Sequence, residues 1–475
     1  MVKVGFVSLG CPKNLVDSEV MMGNLEGAHF ELTGRPEEAD VLVVNTCAFI
    51  ESAKQESIDT ILEMARYKQA GSCKRLVVAG CLAQRYPEQL RDSLPEVDAF
   101  IGLDQLESIV EAVLPAIERE SWRSGKVAAA RPATSARGGS TALAPDGGRA
   151  SYLYSSRTPR KLAGPPWSAY LKISEGCDNP CAFCAIPSFR GSYRSRRPED
   201  IRAEAEKLAA AGVRELNLIA QDSTFYGRDL GIEHGPARLL RSLDEVSGLR
   251  WIRLFYLYPN RVSRSLLDAI AECERVVKYV DIPLQSGSRT VLQRMRRGGS
   301  RAEMLALLER MRRSVPGLAV RTTFIVGFPG ETEAEFRETL ALVREAEFDH
   351  AGVFTYSHED GTAAFSLPDD VPPEAKQDRR EQLLAVQRRI AWRRNRSRVG
   401  KTFQVLCEGT SPETEHLLAG RMASQAPEID GAVLINEGFA SPGSFVPVAI
   451  TEAFPFDLVG RVALPAGVPG PPDAV

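Results

Sequence analysis

Short runs of β-branched and other apolar residues alternate with amphipathic stretches through the first 110 or so residues of the chain. The apolar runs are Val2–Leu9, Val41–Asn45 and Arg75–Ala79, and the stretches between them include Asp17–Leu25 and Ala53–Tyr67. Nearly continuous apolar strands separated by helices are typical of parallel sheets, whose two faces are both covered. The pattern therefore predicts an N-terminal α/β domain with a doubly wound parallel sheet.

A second alternation of strand and helix patterns begins near Ala169. The candidate strands are Tyr170–Ser174, Glu215–Ile219, Trp251–Leu257, Lys278–Pro283, Val320–Val326 and His350–Tyr356, with helical patterns such as Pro198–Ala211, Ser263–Cys273, Arg301–Arg313 and Glu333–Glu345 between them. Six strand–helix units in succession predict a partial (β/α)6 barrel of parallel strands, short of the eight units of a closed barrel.

Composition divides the rest of the chain. Ser124–Arg160 is dominated by Ala, Gly, Ser, Pro and Arg, which predicts a mobile linker because such a segment buries little apolar area. After Gly400 short strand-like runs with Gly and Pro turns predict a small all-β barrel. The expected division is 1–115 for the N-terminal domain, 116–165 for the linker, 166–397 for the core domain, 398–464 for the small barrel and 465–475 for a frayed tail.

Composition also excludes several classes of protein. With 44% hydrophobic and 25% charged residues the 475-residue chain is not mostly disordered, and its length suggests about three domains. No apolar run approaches the roughly 20 residues that span a bilayer, and the N-terminus lacks the apolar region of a signal peptide. Nine cysteines without an export signal favour reduced thiols, metal binding or catalysis in a cytoplasmic protein. The net charge of −3 gives no global argument for nucleic-acid binding.

The strongest local signal is a group of three cysteines, Cys177, Cys181 and Cys184, at CxxxCxxC spacing just after the first barrel strand. Parallel barrels carry their chemistry at this end of the strands. Thiolates are the usual ligands of iron–sulfur clusters, and because a cubane cluster takes four ligands, three cysteines leave one iron open to a small molecule. A zinc knuckle or incidental cysteines in a turn are the alternatives, but no histidine occurs between His29 and His234 to complete a zinc site.

A second group of cysteines, Cys11, Cys47 and Cys81, follows the three apolar runs of the N-terminal domain. Their separations of 36 and 34 residues match about one strand–helix repeat each, so all three are expected at the edge where parallel strands end and ligands bind. Each alone would more often be a small buried hydrophobe. Three at equivalent positions predict a second cluster. Cys73, Cys273 and Cys407 lack this placement and are expected to be structural.

The CxxxCxxC spacing with Phe183 before its last cysteine resembles the radical S-adenosylmethionine (SAM) superfamily. The resemblance implies a cluster whose open iron chelates SAM, an electron that cleaves SAM to a 5′-deoxyadenosyl radical, and a place for Phe183 near the cluster or the adenine. An ordinary core aromatic is the alternative for Phe183. Together with the three strand-end cysteines and the small C-terminal barrel, the chain resembles the radical SAM methylthiotransferase family. Supporting motifs are Asn45-Thr46-Cys47, Ala79-Gly80-Cys81, Ile186 to Arg196, Gln221-Asp222, Pro283 to Gly287 and Phe324 to Glu331.

The family resemblance implies a flavodoxin-like N-terminal domain, a radical SAM core and an OB-like TRAM barrel. Ser8 to Glu19, with Pro-Lys-Asn after Cys11, and the Ala426 to Gly431 segment are similar to the RimO type of the family. That type adds a methylthio group to the β-carbon of an aspartate in small ribosomal subunit protein twelve, free or in the ribosome. The tRNA-modifying types typically have Gln-Met-Asn or Lys-Val-Asn after the cysteine. The implied cofactors are two [4Fe–4S] clusters and SAM, with an external electron donor and a sulfur donor as partners and no membrane.

Other candidate residues are less distinctive. Gln221, Asp222, Gln285 and Ser286 lie at predicted strand ends and could bond SAM or substrate, and Gly327 could bring backbone close to SAM. Simple loop polarity and a Pro-Gly turn are the respective alternatives. Arg194 and Arg196 could bind a carboxylate, or form a solvated basic loop. No catalytic residue is expected beyond the cluster ligands, and His350 and His358 are expected to be structural.

Two other functions compete with protein modification. The predicted helix Lys376–Ser397 carries eight Lys and Arg against two Asp and Glu, which favours a tRNA adenosine methylthiotransferase because basic clusters contact phosphates. The segment Arg398–Leu464 has four basic and eight acidic residues, and an acidic docking module would attract a basic ribosomal protein instead. A non-catalytic electron carrier or RNA-binding module is the remaining class, although electron carriers usually ligate every iron.

Overall fold

The computed structural model describes residues 1–114 and 151–463. Most of the predicted linker and the tail lie outside the described residues. The strands are β1 (Lys3–Ser8), β2 (Glu31–Thr33), β3 (Val41–Thr46), β4 (Arg75–Gly80), β5 (Ala99–Ile101), β6 (Ser168–Lys172), β7 (Ser174–Glu175), β8 (Arg194–Ser195), β9 (Glu215–Ile219), β10 (Trp251–Leu254), β11 (Val276–Asp281), β12 (Ala319–Val326), β13 (His350–Thr355), β14 (Thr402–Ser411), β15 (Thr414–Met422), β16 (Val433–Glu437), β17 (Phe445–Ala453) and β18 (Leu458–Val462).

The described α-helices follow the same order. They are α1 (Pro12–Gly27), α2 (Glu51–Ala65), α3 (Tyr67–Ala70), α4 (Cys81–Arg85), α5 (Pro87–Ser93), α6 (Ile109–Val113), α7 (Ile186–Arg190), α8 (Pro198–Ala210), α9 (Gly235–Asp244), α10 (Arg264–Glu272), α11 (Arg289–Arg294), α12 (Arg301–Ser314), α13 (Glu333–Ala346) and α14 (Pro373–Arg396). Short 3-10 helices occur at Pro36–Glu38, Leu103–Ser108, Ser223–Phe225, Pro259–Arg261 and Ala363–Ser366.

The N-terminal domain is a five-stranded parallel sheet in the order β2-β1-β3-β4-β5. This is the flavodoxin-like order, in which the order of the strands reverses between β1 and β3, and ligands bind at that point. All six residues of β3 are buried, because helices cover both faces of the sheet. The predicted doubly wound parallel sheet is confirmed.

The core domain is an open barrel of six parallel strands in the order β13-β12-β11-β10-β9-β6. Helices α8 to α10, α12 and α13 cover its outside, and their apolar faces form one large core with the strands. A two-stranded antiparallel pair, β7 with β8, brackets the loop that contains the CxxxCxxC group. The predicted partial barrel is therefore confirmed.

The C-terminal domain is a closed barrel in the order β14-β15-β16-β18-β17, as the sequence pattern predicts. Its loop from Ala423 to Gly431 reaches into the inside of the core barrel. Ala426 is fully buried there with Tyr170, Phe255 and Tyr279, and Val16 and Val20 of α1 join the same cluster. Residues from all three domains therefore share one apolar cluster inside the core barrel.

A buried ion-pair group joins the core barrel to the C-terminal barrel. Glu215 of β9 lies 2.6 Å from Arg421 of β15 and 3.2 Å from Arg253 of β10, and none of the three side chains is more than 3% exposed. Burial alone would raise the pKa of Glu215, but the two guanidinium groups outweigh it and lower the pKa to about 2. The carboxylate therefore stays ionised and paired at neutral pH.

Residues 151–163 pack against the rest of the protein, whereas the sequence predicts a mobile segment that extends to Arg160. The backbone N–H groups of Ser151 and Tyr152 donate to Asp104, and Tyr152 packs against the N-terminal core. Tyr154 is 4% exposed, and Arg160 pairs with Glu19 of α1 at 2.6 Å and with Glu204 of α8 at 2.7 Å. The composition of this segment misled the prediction because the partners of its few large residues come from two other parts of the chain.

Four of the eight Lys and Arg side chains of the basic helix α14 form ion pairs. Lys376 pairs with Asp369, Arg379 with Glu331, Arg393 with Glu347 and Arg394 with Asp349. The helix packs along β13 and α13, so much of its positive charge is neutralised within the core domain. Nowhere in residues 1–114 and 151–463 is there a helix long and apolar enough to cross a membrane.

We predict that Glu215→Gln weakens the attachment of the C-terminal barrel. Removing one partner from a buried ion pair leaves the remaining charges uncompensated, which lowers the free energy of unfolding by about 3 kcal/mol. Since the pKa is about 2 in the fold and 4.5 in the unfolded chain, the native advantage is complete above about pH 4.5 and disappears as pH falls toward 2. Urea unfolding of both proteins between pH 7 and pH 3 measures this difference.

The matched control is Glu437→Gln on the C-terminal barrel. Glu437 faces Arg461 at 3.8 Å, and both side chains are more than half exposed. This change should alter the free energy of unfolding by no more than about 0.5 kcal/mol. Equal effects of the two substitutions would contradict the role assigned to Glu215.

Candidate active site

The three N-terminal cysteines follow neighbouring strands of the parallel sheet. Cys11 comes after β1, Cys47 after β3 and Cys81 after β4, and these three strands lie side by side. Two glycines allow the loops to approach each other. A side chain on Gly10 (φ +85°) would lie 2.8 Å from the Cβ of Cys47, and one on Gly80 (φ +95°) would lie 2.1 Å from the Asn45 side-chain oxygen. The structure thus places all three cysteines at the ends of neighbouring strands, and their role as cluster ligands stays a prediction.

Asn14 holds the three cysteine loops together. Its side-chain Nδ2 donates to the carbonyls of Leu9 at 3.1 Å and Thr46 at 2.8 Å, which belong to the first two loops. Its Oδ1 accepts from the Cys81 thiol at 3.3 Å, and Asn45 Nδ2 donates to the Asn14 carbonyl. Because Asn14 is fully buried, replacing its amide would leave several backbone groups of these loops without partners.

The second cysteine group lies on the loop between β7 and α7. Gly176 (φ +79°) lets this loop pass within contact distance of the Ser192 backbone, and the Cys177 N–H donates to the Gly191 carbonyl at 3.1 Å. Arg297 donates to the Cys181 sulfur at 3.5 Å. Asn179 donates to Asp222 at 2.9 Å, and Asp222 also pairs with Arg261, so this part of the loop is fixed to the barrel.

One buried side chain connects the two cysteine groups. Arg190, at the end of α7, donates to Glu175 at 2.9 Å, to Asn14 at 2.6 Å and to the Cys81 sulfur at 3.2 Å. Glu175 is two residues before Cys177 and also pairs with Lys172 at 2.8 Å. Lys172 in turn bonds Asp17 of α1. This network, which we call the bridge (Asp17, Lys172, Glu175 and Arg190), places the two groups on either side of one domain interface.

Burial determines the protonation of the thiols in the absence of metal. It raises the pKa of Cys81 to about 12, although Arg190 lowers it in part, and raises the pKa of Cys177 to about 11 and of Cys184 to about 12. These thiols carry protons at neutral pH, and iron binding must release them because only thiolates ligate iron. Burial lowers the pKa of Lys13 to about 8, so its ammonium form still prevails at neutral pH.

The chemistry of the two cysteine groups fits iron–sulfur clusters, because thiolates are the usual ligands of such clusters. Among the described residues the side chains of His, Cys, Asp and Glu do not form a group of three that is closed enough to hold a single metal ion. All nine cysteines are free thiols, so both groups remain available as ligands. Buried oxygen atoms without partners lie beside the groups, on Asn45, Ser174, Gln221 and Gln285, and a bound cofactor could supply their missing bonds.

Two residues predicted to bind SAM share a cavity. Phe183 and Gln285 line a space of about 200 Å³, together with Phe49 and Ile50 from the loop after Cys47. Gln285 has the strained φ of +72°, which is uncommon outside glycine. The cavity therefore opens beside the second cysteine group and reaches the N-terminal domain.

The other predicted contacts are placed differently. Gln221 donates to Glu175 and thereby belongs to the surroundings of the bridge. The Gly327 N–H donates to Glu331 at 2.6 Å, and a side chain on Gly327 would collide with Lys376. Gly327 is not among the residues that line the cavity of Phe183 and Gln285. Its assignment as a SAM contact stays a prediction.

Some polar residues of the predicted set support the fold instead. Arg196 is 2% exposed and pairs with Asp200 and Glu204, so it is not free to bind a carboxylate from outside. His350 contacts Asp430 and the Ser424 carbonyl. Cys73, Cys273 and Cys407 are buried away from both groups.

Sequence reasoning missed the bridge. Within the motif Ile186 to Arg196 the sequence analysis selects Arg194 and Arg196, whereas Arg190 contacts Cys81 of one group and Glu175, two residues before Cys177 of the other. Glu175, two residues before Cys177, is the sequence signal that could have indicated the bridge, because a buried carboxylate beside thiolates requires a cation.

Comparisons with known proteins agree with this arrangement. Family models match residues 3–102 as "Uncharacterized protein family UPF0004", residues 171–343 as the radical SAM superfamily and residues 399–463 as a TRAM domain. A protein of Solibacter usitatus named ribosomal protein uS12 methylthiotransferase RimO is 50% identical over 98% of this chain and 95% of its own length. A protein of the same name from Pelotomaculum thermopropionicum is 47% identical over 98% of this chain and all of its own length.

Solved structures support the fold. The radical SAM methyltransferase TsrM from Kitasatospora setae, with tryptophan and a SAM analogue bound, superposes with a TM-score of 0.51 at 15% identity. The match covers 74% of this chain and 72% of that one. At this identity the likeness concerns the fold alone.

We predict that Gly80→Ala removes the N-terminal iron. The new methyl group would displace the Asn45 side chain, and Cys81 would move away from the other two cysteines. Reconstituted variant should hold about half the iron of the native protein, with the iron of the second group retained, as measured by iron analysis and Mössbauer spectroscopy.

Gly212→Ala is the matched control. Gly212 has a comparable φ of +108°, but nothing lies within 4 Å of its missing side chain. This variant shares the backbone strain without the collision and should keep all its iron. Full iron content in Gly80→Ala would show that the close approach of the loops is not needed for the N-terminal site.

Proposed function

Because the chain belongs to the family of ribosomal protein uS12 methylthiotransferases called RimO, we propose that it adds a methylthio group to the β-carbon of an aspartate of uS12. The observation that carries this proposal is the pair of three-cysteine groups that face one interface and are joined by Arg190. Each group leaves one iron of a cubane cluster without a protein ligand. The enzyme is therefore a radical SAM methylthiotransferase, and each of its clusters would have one iron open to a further ligand.

The cofactors of the enzyme are SAM and [4Fe–4S] clusters. We assign one cluster to Cys177, Cys181 and Cys184 and the other to Cys11, Cys47 and Cys81. When bound, the first supplies the electron that converts SAM into a hydrogen-abstracting radical, and the second holds the sulfur that is transferred as a methylthio group. SAM serves both as the source of the radical and as the methyl donor.

The chain's own residues provide position and exclusion of water. We assign SAM contacts to Phe183 and Gln285, which line the cavity beside the second cysteine group, and to Gln221, which donates to Glu175. The N-terminal domain covers the mouth of the core barrel, where Arg85 of α4 pairs with Glu359 at 3.1 Å and with Asp360 at 2.8 Å. Covering the mouth keeps water and other quenchers away from a radical.

Charge supports a protein substrate over tRNA. Four cations of the basic helix α14 are already paired within the core domain. On the C-terminal barrel the exposed charged side chains are mainly acidic: Glu413, Glu415, Glu428, Glu437 and Glu452. An acidic surface repels phosphate and attracts a basic ribosomal protein. An external electron donor and a sulfur donor complete the proposed set of partners.

We predict a division of labour between the cysteine groups. Replacing Cys177, Cys181 and Cys184 together by Ala should abolish SAM cleavage and leave the N-terminal iron in place. The matched variant, with Cys11, Cys47 and Cys81 replaced, should still form 5′-deoxyadenosine but transfer no methylthio group. Formation of 5′-deoxyadenosine by the first variant would show that the radical cluster is assigned to the wrong group.

The substrate is tested by direct competition. Reconstituted enzyme, dithionite, sulfide and methyl-labelled SAM are mixed anaerobically with uS12 and bulk tRNA together, and both products are analysed by mass spectrometry. We expect the label as a methylthio group on an aspartate of uS12. Label on a tRNA adenosine would agree with the proposed chemistry but would contradict uS12 as the substrate.

A further inference from the structure

Lys13 is a buried cation without an anionic partner. Its side chain is 8% exposed, and among the described residues its ammonium makes no hydrogen bond and no ion pair, although it lies 3.3 Å above the centre of the Tyr256 ring. The attraction of a cation to an aromatic face offsets only part of the free energy that burial of an ion costs. The site is therefore incomplete without an anion.

The ammonium lies where the N-terminal domain meets the strand ends of the core barrel. Lys13 is in the first turn of α1, two residues after Cys11. Tyr256 follows β10 at the end of the core strands where the second cysteine group is found, and it holds the unusual φ of +59°. Lys13 thus extends from the N-terminal domain onto the reactive face of the core barrel.

The two carboxylates that act on Lys13 are already paired with other cations. Glu175 and Asp281 both act on Lys13 through space. Glu175 is held by Lys172 and Arg190, and Asp281 pairs with Arg321 at 3.2 Å. The Cys11 sulfur is assigned to the cluster. No described acidic group is therefore left to neutralise Lys13.

We propose that Lys13 binds the side-chain carboxylate of the target aspartate and is a specificity-determining residue. This inference rests on the proposed function. The β-carbon that reacts is bonded directly to that carboxyl carbon, so a fixed cation at the carboxylate also fixes the reacting carbon between the two cysteine groups. A charge-assisted hydrogen bond in a site without water is strong and rejects a neutral side chain.

The test compares two forms of the substrate on the holoenzyme. The dissociation constants of uS12 and of uS12 with its target aspartate changed to Asn are measured by fluorescence anisotropy for native enzyme, Lys13→Met and Lys13→Arg. Native enzyme should bind the aspartate form about tenfold more tightly, a difference of about 1.4 kcal/mol. Lys13→Met should bind both forms alike, and Lys13→Arg should keep most of the preference.

Lys161→Met is the control, because Lys161 is half exposed and pairs with Glu26 on the surface. It should keep the full preference for the aspartate form. The inference is overturned if native enzyme binds both forms equally or if Lys13→Met weakens both equally, which would mean a structural role. It is also overturned if Lys13→Met keeps the preference and loses only cluster-bound sulfide, which would place Lys13 at the sulfur.

The proposed function is checked separately in the same series. If native enzyme forms no methylthio product on unmodified uS12, the proposed function fails and the inference falls with it. If that product forms and the preference does not depend on Lys13, only the inference fails.

Discussion

The rest of the structure depends on the buried bridge of Asp17, Lys172, Glu175 and Arg190. Each of these side chains is at most 8% exposed, and Asp17 of the N-terminal domain pairs with Lys172 and Arg190, which also pair with Glu175 of the core. Buried charges are tolerated only while their partners stay in place. Separating the N-terminal domain from the core would leave Asp17 without a cation and would leave Lys172 and Arg190 with only Glu175 between them. The bridge thus fixes the orientation of one cysteine group relative to the other.

Much of this architecture follows from the sequence because the decisive signals are local. Three apolar runs that each end in a loop with a cysteine can only belong to a parallel sheet whose strand ends share one edge, and Cys11, Cys47 and Cys81 meet there. The spacing of Cys177, Cys181 and Cys184 is likewise a local pattern. The partners of Arg190 are not local, since Cys81 is 109 residues away in the chain. From the sequence alone, Arg190 could not be distinguished from an arginine that faces solvent.

Composition was a poor guide where partners come from elsewhere in the fold. Arg160 looked like part of a mobile segment, yet it connects Glu19 of the N-terminal domain to Glu204 of the core. The basic helix α14 looked like a surface for phosphate, yet four of its eight cations are paired with carboxylates of the core domain. In both cases the sequence shows the charge, and the tertiary contacts decide whether that charge faces solvent.

The packing of Ser151 and Tyr152 shows where the chain passes from one domain to the next. Both residues bond Asp104 of the N-terminal domain, so the crossing to the core begins at Ser151 and is made by the packed residues 151–163. Arg160 lies within this segment and pairs with Glu19 on one side and Glu204 on the other. An inserted or deleted residue between Tyr152 and Arg160 would move the guanidinium away from one of these carboxylates. The length of this short segment is therefore tied to the spacing of the two domains.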